Sequence, residues 1–185
     1  MPPRVKITKQ EIVAATLDLL RKEGEAAMNA RSIAAALGCS TQPIFSNFAT
    51  IDELQNTVLL AAYEHYHSFL MRETVRGAYP QYKAYGMAYI RFAREEKQLF
   101  KALFMCDRKG QPLIPSPDFS ASVDMIMQAN GIEREQAELW HMEMWSCVHG
   151  IGTMLATSFL DMDEDLISRM ISDVYQGLRT RRTGG

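Results

Sequence analysis

The sequence predicts an all-α protein of about nine helices, with a three-helix N-terminal part followed by a larger helical part. Apolar residues recur at three- and four-residue spacing along most of the chain, and no segment alternates between apolar and polar residues as a half-buried strand would. Two Thr-x-x-Glu motifs, at Thr8–Glu11 and Thr50–Glu53, fit capping boxes that start helices. Glycines and prolines separate the periodic stretches, as is typical of the turns between helices.

The composition is that of an ordinary globular protein. Among 185 residues, 47% are hydrophobic and 23% are charged, which excludes a mostly disordered or low-complexity chain. No apolar run is long enough for a membrane span, and the first residues lack the apolar stretch of a signal peptide. We therefore expect a cytoplasmic protein with no membrane partner. Three widely spaced cysteines, Cys39, Cys106 and Cys147, are expected to be free thiols.

The net charge of -2 is unevenly distributed along the chain. Residues 1–50 contain six basic and four acidic residues, a balance of +2, which leaves a balance of -4 for the remainder. A positive N-terminal part weakly favours a nucleic-acid partner.

Three short helices are expected in the first third of the chain. The first runs from Thr8 to Gly24, which is placed to end the helix with a left-handed backbone. The second begins after Asn29, a good N-cap residue, and stops at Gly38 after about two turns. The third covers residues 41–48.

The second and third helices, joined by a glycine turn, are typical of a helix-turn-helix, whose second helix can enter the DNA major groove. Ile44 and Phe48 are four residues apart and can share one buried face. The first turn offers Ser40, Thr41 and Gln42. Glutamine can make paired hydrogen bonds to adenine N6 and N7, whereas hydroxyls bind bases less selectively. Because short helix pairs occur in many all-α proteins, spacing alone leaves DNA recognition and plain packing as equal alternatives.

The larger part is predicted to begin with a long helix over residues 51–76, which contain no glycine or proline before the end. Residues 106–118 contain one glycine and three prolines and form the clearest loop. Acidic residues at 95–96 and 161–165 are interpreted as solvated helix starts. The remaining helices are expected at 82–94, 95–105, 119–130, 133–160 and 163–181.

Four segments between Lys6 and Leu60 follow one another in an ordered pattern. They are Glu23-Gly24 at the end of the first helix, then 31–40, then 43–48, then 52–54. Together they resemble the DNA-binding domain of the tetracycline-repressor (TetR) family. The resemblance implies a helix-turn-helix DNA-binding domain over 1–50 and a ligand-binding and dimerisation domain over 51–185. In this family the long helix beginning near Thr50 links the two domains.

The same resemblance implies which residues contact an operator in double-stranded DNA. They are Asn29, Arg31, Ser40, Thr41, Gln42, Pro43, Phe45 and Asn47. Phe45 stands where the family often has tyrosine, Pro43 where it often has a hydroxyl, and Ile51 where it often has a phosphate-binding lysine. Phosphate affinity is therefore expected to be lower than is usual in the family. Three N-terminal bases can compensate or remain a solvated arm, namely Arg4, Lys6 and Lys9.

The larger part resembles the family's ligand-binding domain more loosely, through residues 88–95, 99–104 and 145–150. The resemblance implies a homodimer in which the last two helices pair with their copies as a four-helix bundle. Gly150 and Gly152 would permit close helix approach there.

A small-molecule effector is suggested by twelve methionines, many of them in the larger part, which can form adaptable walls for an apolar or amphipathic ligand. The alternative is that these methionines are ordinary core. The candidate ligand-binding residues are Tyr85, Tyr89, Met105, Met127, His141 and Met144.

An enzyme is not expected, because the sequence has no phosphate-binding glycine loop, no G-x-S-x-G and no H-E-x-x-H motif. No cofactor or metal site is expected either. The favoured hypothesis is a repressor that a ligand releases from its operator by tilting the long helix. The alternative is a helical adaptor whose degenerate helix-turn-helix no longer binds DNA.

Overall fold

The chain is all-α in the computed structural model, which describes residues 7–75, 77–107 and 117–183. These ranges contain nine α-helices and no strand, which confirms the predicted fold class. None of these helices has a stretch long and apolar enough to cross a membrane. The helices are α1 (Lys9–Glu23), α2 (Ala30–Ala36), α3 (Gln42–Asn47), α4 (Ile51–Thr74), α5 (Gln81–Glu95), α6 (Lys97–Phe104), α7 (Pro117–Asn130), α8 (Arg134–Ala156) and α9 (Glu164–Thr183).

The chain divides into two compact units, and the first of them is discontinuous in sequence. The first unit contains the described residues up to Ser68 together with Glu96–Cys106. The second unit contains Phe69–Glu95 and the described residues from Asp107 onwards. Helix α4 therefore begins in the first unit and ends in the second. The predicted boundary at residue 50 separates a DNA-binding domain from a ligand-binding domain, whereas the two units are defined by packing. The boundary therefore stays a prediction.

Local hydrogen bonds start α1 where the sequence predicts. The backbone N–H of Glu11 donates to Oγ1 of Thr8 over 3.2 Å, and the backbone N–H of Thr8 donates to Oε2 of Glu11 over 2.7 Å. This confirms the first capping box. Gly24 ends α1 with a φ of 87° and a ψ of -175°, so the chain leaves in an extended direction. A short 3-10 helix, Glu25–Ala27, follows it and was not predicted.

The start of α4 keeps half of the second capping box. The backbone N–H of Glu53 donates to Oγ1 of Thr50 over 3.1 Å. The Glu53 carboxylate, however, accepts from the backbone N–H of Ala49 over 2.8 Å, one residue before the expected donor. The helix still begins at Ile51, as predicted.

Some later boundaries differ from the prediction. Helix α7 begins at Pro117, two residues before the predicted start. A proline can occupy the first helical position, so it did not mark the end of the loop. Helix α8 ends at Ala156, four residues early, and Ser158 then adopts a positive φ of 56°. Residues 108–116 of the predicted loop and Arg76 at the predicted end of the long helix lie outside the described residues.

Two tyrosine–histidine pairs join α5 to α8 in the second unit. The hydroxyl of Tyr82 lies 2.9 Å from Nδ1 of His141, and that of Tyr89 lies 2.8 Å from Nδ1 of His149. Burial lowers the pKa of both histidines and raises the pKa of both tyrosines. At neutral pH both histidines are therefore uncharged and both tyrosines keep their hydroxyl proton.

Glycine conformation shapes the turns after α2 and α7. Gly38 has a φ of 61° and Gly131 a φ of 64°. After α2, Cys39 N–H donates to Ala34 O over 2.9 Å and Gly38 N–H donates to Ala35 O over 3.1 Å, which is the Schellman arrangement. A Cβ at either glycine would meet no heavy atom within 4 Å, so only backbone conformation opposes other residues there.

Replacing Gly38 with alanine is expected to lower the free energy of unfolding by about 1–2 kcal/mol, because the left-handed region strains an L-residue. Gly131→Ala should have a similar cost. Gly177→Ala is the matched control, since Gly177 lies within α9 with equally open space around it, and alanine there should stabilise the helix. Urea denaturation measures all three. An unchanged stability of Gly38→Ala would contradict the left-handed turn.

Acidification is expected to destabilise the chain through the two half-buried histidines His141 and His149. Their folded pKa values are lowered, so the unfolded chain binds more protons once the pH falls below about 6.5. The stability they contribute is complete above that pH and is lost as the pH falls towards the folded values. The slope cannot exceed about 1.4 kcal/mol per pH unit for each histidine, which is the limit for the uptake of one proton.

Urea denaturation between about pH 7.5 and 5.5 measures this slope, over a range above the usual carboxylate pKa values. The double variant His141→Gln, His149→Gln should show a smaller slope than the natural sequence. Equal slopes would show that neither histidine is responsible.

Candidate nucleic-acid interface

The predicted helix-turn-helix is formed by α2, the turn 37–41 and α3. Ile33 of α2 and Ile44 of α3 are fully buried, and Phe48 is 1% exposed. Helix α1 packs against both α2 and α3. Because α3 has 6 residues, burial of its apolar side chains holds it in place rather than intrinsic helix stability. Its opposite side is left to face solvent or a partner.

Exposed side chains on this side include the glutamine that was predicted to read bases. Gln42 is the first residue of α3, and its side-chain amide makes no hydrogen bond with any other residue that the structure describes. Pro43 occupies the next position, where its missing N–H costs no helical hydrogen bond. Thr41 and Pro43 are half-buried. The exposed members of the predicted set are Asn29, Arg31, Ser40, Gln42 and Phe45.

Two of the predicted DNA contacts already bind the protein's own backbone. Oδ1 of Asn29 accepts from the backbone N–H groups of Arg31 and Ser32, at 3.2 and 3.1 Å, so Asn29 is the N-cap of α2. Nδ2 of Asn47 donates to Pro43 O over 2.8 Å and to Ile7 O over 3.4 Å. Both amides therefore position the helices.

The helix-turn-helix and the helix before it carry no excess of positive charge. Residues 7–50 contain four basic and four acidic residues, so the positive excess of the N-terminal part comes from Arg4 and Lys6, which lie outside the described residues. Lys9 pairs with Glu53 at 3.2 Å and lies over the Phe48 ring. Arg31 is exposed and has no ion-pair partner within the described ranges. Its guanidinium is therefore left to solvent in the described part of the chain.

A half-buried carboxylate in the first unit joins α1, α4 and the start of α6. Glu96 accepts from Nε of Arg21 over 3.0 Å and from a second Arg21 nitrogen, and Nε2 of His65 lies 3.3 Å away. Burial alone would raise the pKa of Glu96, but Arg21 and then His65 outweigh burial and lower it. Glu96 precedes α6 directly, which confirms the predicted helix start, but its side chain is 13% exposed, so the prediction that it is solvated was wrong. Its partners lie 75 and 31 residues away, beyond the reach of any local pattern.

The predicted ligand-binding residues do not all fall in one unit. Met105 belongs to the first unit and is 40% exposed, whereas the other five belong to the second. Tyr89 and Met144 are buried, and Tyr85, Met127 and His141 are half-buried. The hydroxyl of Tyr89 is already paired with His149, and Nδ1 of His141 with Tyr82. A ligand that uses these atoms must exchange one hydrogen bond for another.

Comparison with known proteins gives two similarities. Residues 82–174, half of the chain, match the family described as Tetracyclin repressor-like, C-terminal domain. An uncharacterized HTH-type transcriptional regulator from Mycobacterium tuberculosis is 22% identical over 190 residues, which cover 97% of this chain and 85% of the relative. The family match falls on α5 to α9, and the similarity to the mycobacterial protein also includes the helix-turn-helix.

Proposed function

Because the chain belongs to the tetracycline-repressor-like family of transcription regulators, we propose that it is a cytoplasmic repressor released from operator DNA by a small ligand. The observation that carries DNA binding is the exposed Gln42 at the start of α3, held there by the burial of Ile44 and Phe48. A glutamine in this position can reach a base edge when α3 lies in the major groove.

The predicted contact residues are assigned different roles. Gln42 reads adenine through its amide, whereas Arg31 and Ser40 bind phosphates next to it. Asn29 and Asn47 hold α2 and α3 in position through their bonds to the backbone. Thr41 and Pro43 contribute the half-buried edge of the contact surface.

A homodimer would supply the second recognition helix. Apolar side chains are exposed along α8, in the segment after it and at the start of α9. They are Leu139, Met142, Trp145, Phe159, Leu160 and Leu166, with exposed fractions between 37% and 80%. Leu139, Met142 and Trp145 recur every three residues and so line one side of α8. Pairing of α8 and α9 with their copies would cover these groups and present two α3 helices to successive major grooves, about 34–36 Å apart.

Effector release is proposed to act through α4. This helix is continuous from Ile51 to Thr74 and belongs to both units. A ligand bound among the second-unit candidates would tilt α4 and change the spacing of the paired recognition helices. Ligand and operator then oppose each other reciprocally, because each favours a different spacing.

A second candidate function is a helical adaptor without DNA binding. It is favoured by the balanced charge of residues 7–50 and by Phe45, which has no hydroxyl for a phosphate. The two candidates differ in whether the purified protein retains duplex DNA.

The protein is expected to shift duplex DNA from upstream of its own gene, with an affinity that falls steeply as salt increases. Gln42→Ala should weaken binding to the preferred sequence by about 1–3 kcal/mol and relax sequence preference at one base pair. Gln128→Ala is the matched control, because Gln128 is exposed on α7 in the second unit. Mobility-shift titrations at several salt concentrations measure both.

Equal weakening on every sequence would reassign Gln42 from base reading to positioning on phosphates. Failure to shift any duplex, or an affinity that does not change with salt, would support the adaptor.

Leu139→Glu is expected to weaken dimerisation by about 2 kcal/mol or more, because it places a carboxylate in a proposed apolar contact. Leu60→Glu is the matched control, since Leu60 is 63% exposed on α4 in the first unit. Sedimentation velocity at micromolar concentration should then show more monomer for the first variant only. A natural sequence that is already monomeric would contradict the dimer.

A further inference from the structure

Phe45 presents an aromatic ring on the surface of α3 that carries Gln42 and is proposed to contact DNA. It is 53% exposed, although Ile44 before it and Phe48 after it are buried. It lies three residues after Gln42 on α3, and residues at this spacing are neighbours on a helix surface. A phenyl ring has no donor or acceptor for a phosphate or for the polar edge of a base. The ring can therefore meet a partner through its apolar surface.

The polar groups beside the ring are engaged with the helix itself. The Ser46 hydroxyl donates to Gln42 O over 2.9 Å, and the Asn47 amide donates to Pro43 O. Besides Ser46, whose hydroxyl donates to the helix backbone, the exposed side chains on this part of α3 are Gln42 and Phe45. One is a hydrogen-bonding group and the other is apolar.

The major groove offers one prominent apolar group, the C5 methyl of thymine. We infer that Phe45 is a specificity-determining residue that packs on a thymine methyl beside the base read by Gln42. The Cβ atoms of residues three apart lie about 5–6 Å from each other, which is one or two base-pair steps along the duplex. Each half-site should thus contain a thymine within one or two base pairs of the adenine read by Gln42. This inference rests on the proposed DNA-binding function.

The charge of the surrounding surface makes such a contact important. Residues 7–50 are electrically balanced, so phosphate attraction adds little from this segment beyond Arg31 and the bases before residue 7. Apolar contact is not screened by salt, whereas phosphate contact is. A methyl contact would therefore persist at salt concentrations that weaken the rest of the interface.

The test compares thymine with deoxyuridine, which pairs identically but lacks the methyl group. The full chain first selects binding sequences from a pool of random duplex DNA. Each thymine in a selected duplex is then replaced in turn by deoxyuridine, and affinity is measured by mobility shift. At one position in each half-site, the replacement should weaken binding about fourfold, the factor for burial of one methyl-sized group.

Two variants assign the effect to Phe45. Phe45→Ala should bind the thymine and deoxyuridine duplexes equally, whereas Phe45→Tyr keeps the ring and should keep the discrimination. Because Phe45 is exposed, both variants should keep the helical circular dichroism and melting temperature of the natural sequence.

The outcomes separate this inference from the proposed function. If duplexes are selected but no deoxyuridine replacement weakens binding, the thymine contact is wrong and DNA binding stands. Discrimination that persists in Phe45→Ala assigns the contact to another residue and overturns the inference as well. If the pool yields no bound duplex, the proposed function itself fails.

Discussion

The burial of Ile44 and Phe48 sets the orientation of α3, and the surface proposed to contact DNA depends on that orientation. A helix as short as α3 has almost no stability of its own, so its orientation is set by the side chains that it buries. With those two positions in the core, Gln42 and Phe45 are left exposed. The same packing that stabilises the first unit therefore determines which groups a duplex would meet.

Features encoded by neighbouring residues were predictable. The capping residue Thr8, the turn at Gly38 and the start of α4 at Ile51 each depend on contacts within a few residues, and the sequence identifies them. Features encoded at a distance were missed. No local pattern indicates that Glu96 binds Arg21, or that a tyrosine of α5 meets a histidine of α8 about sixty residues later. Such pairs become visible only once the helices are packed.

The sequence identified the side chains of the candidate site, but it did not show which of them remain available to DNA. An amide that could bind DNA is present in Asn29, Asn47 and Gln42. The amides of Asn29 and Asn47, however, form hydrogen bonds with nearby backbone groups. Short polar side chains compete for local backbone hydrogen bonds, whereas the longer side chain of Gln42 extends away from its own helix. The sequence shows which groups are present, and the fold decides which of them remain available.

The discontinuity of the first unit limits how this protein can be dissected. The predicted boundary at residue 50 separates the three N-terminal helices from the rest of the chain, yet the carboxylate that binds Arg21 comes from Glu96. A fragment that stops at residue 60 would lack α6, which packs on α1, and would leave part of the apolar side of α1 open to water. The unit proposed to bind DNA is thus built from two separate segments of the sequence, and no single continuous fragment without residues 69–95 contains it.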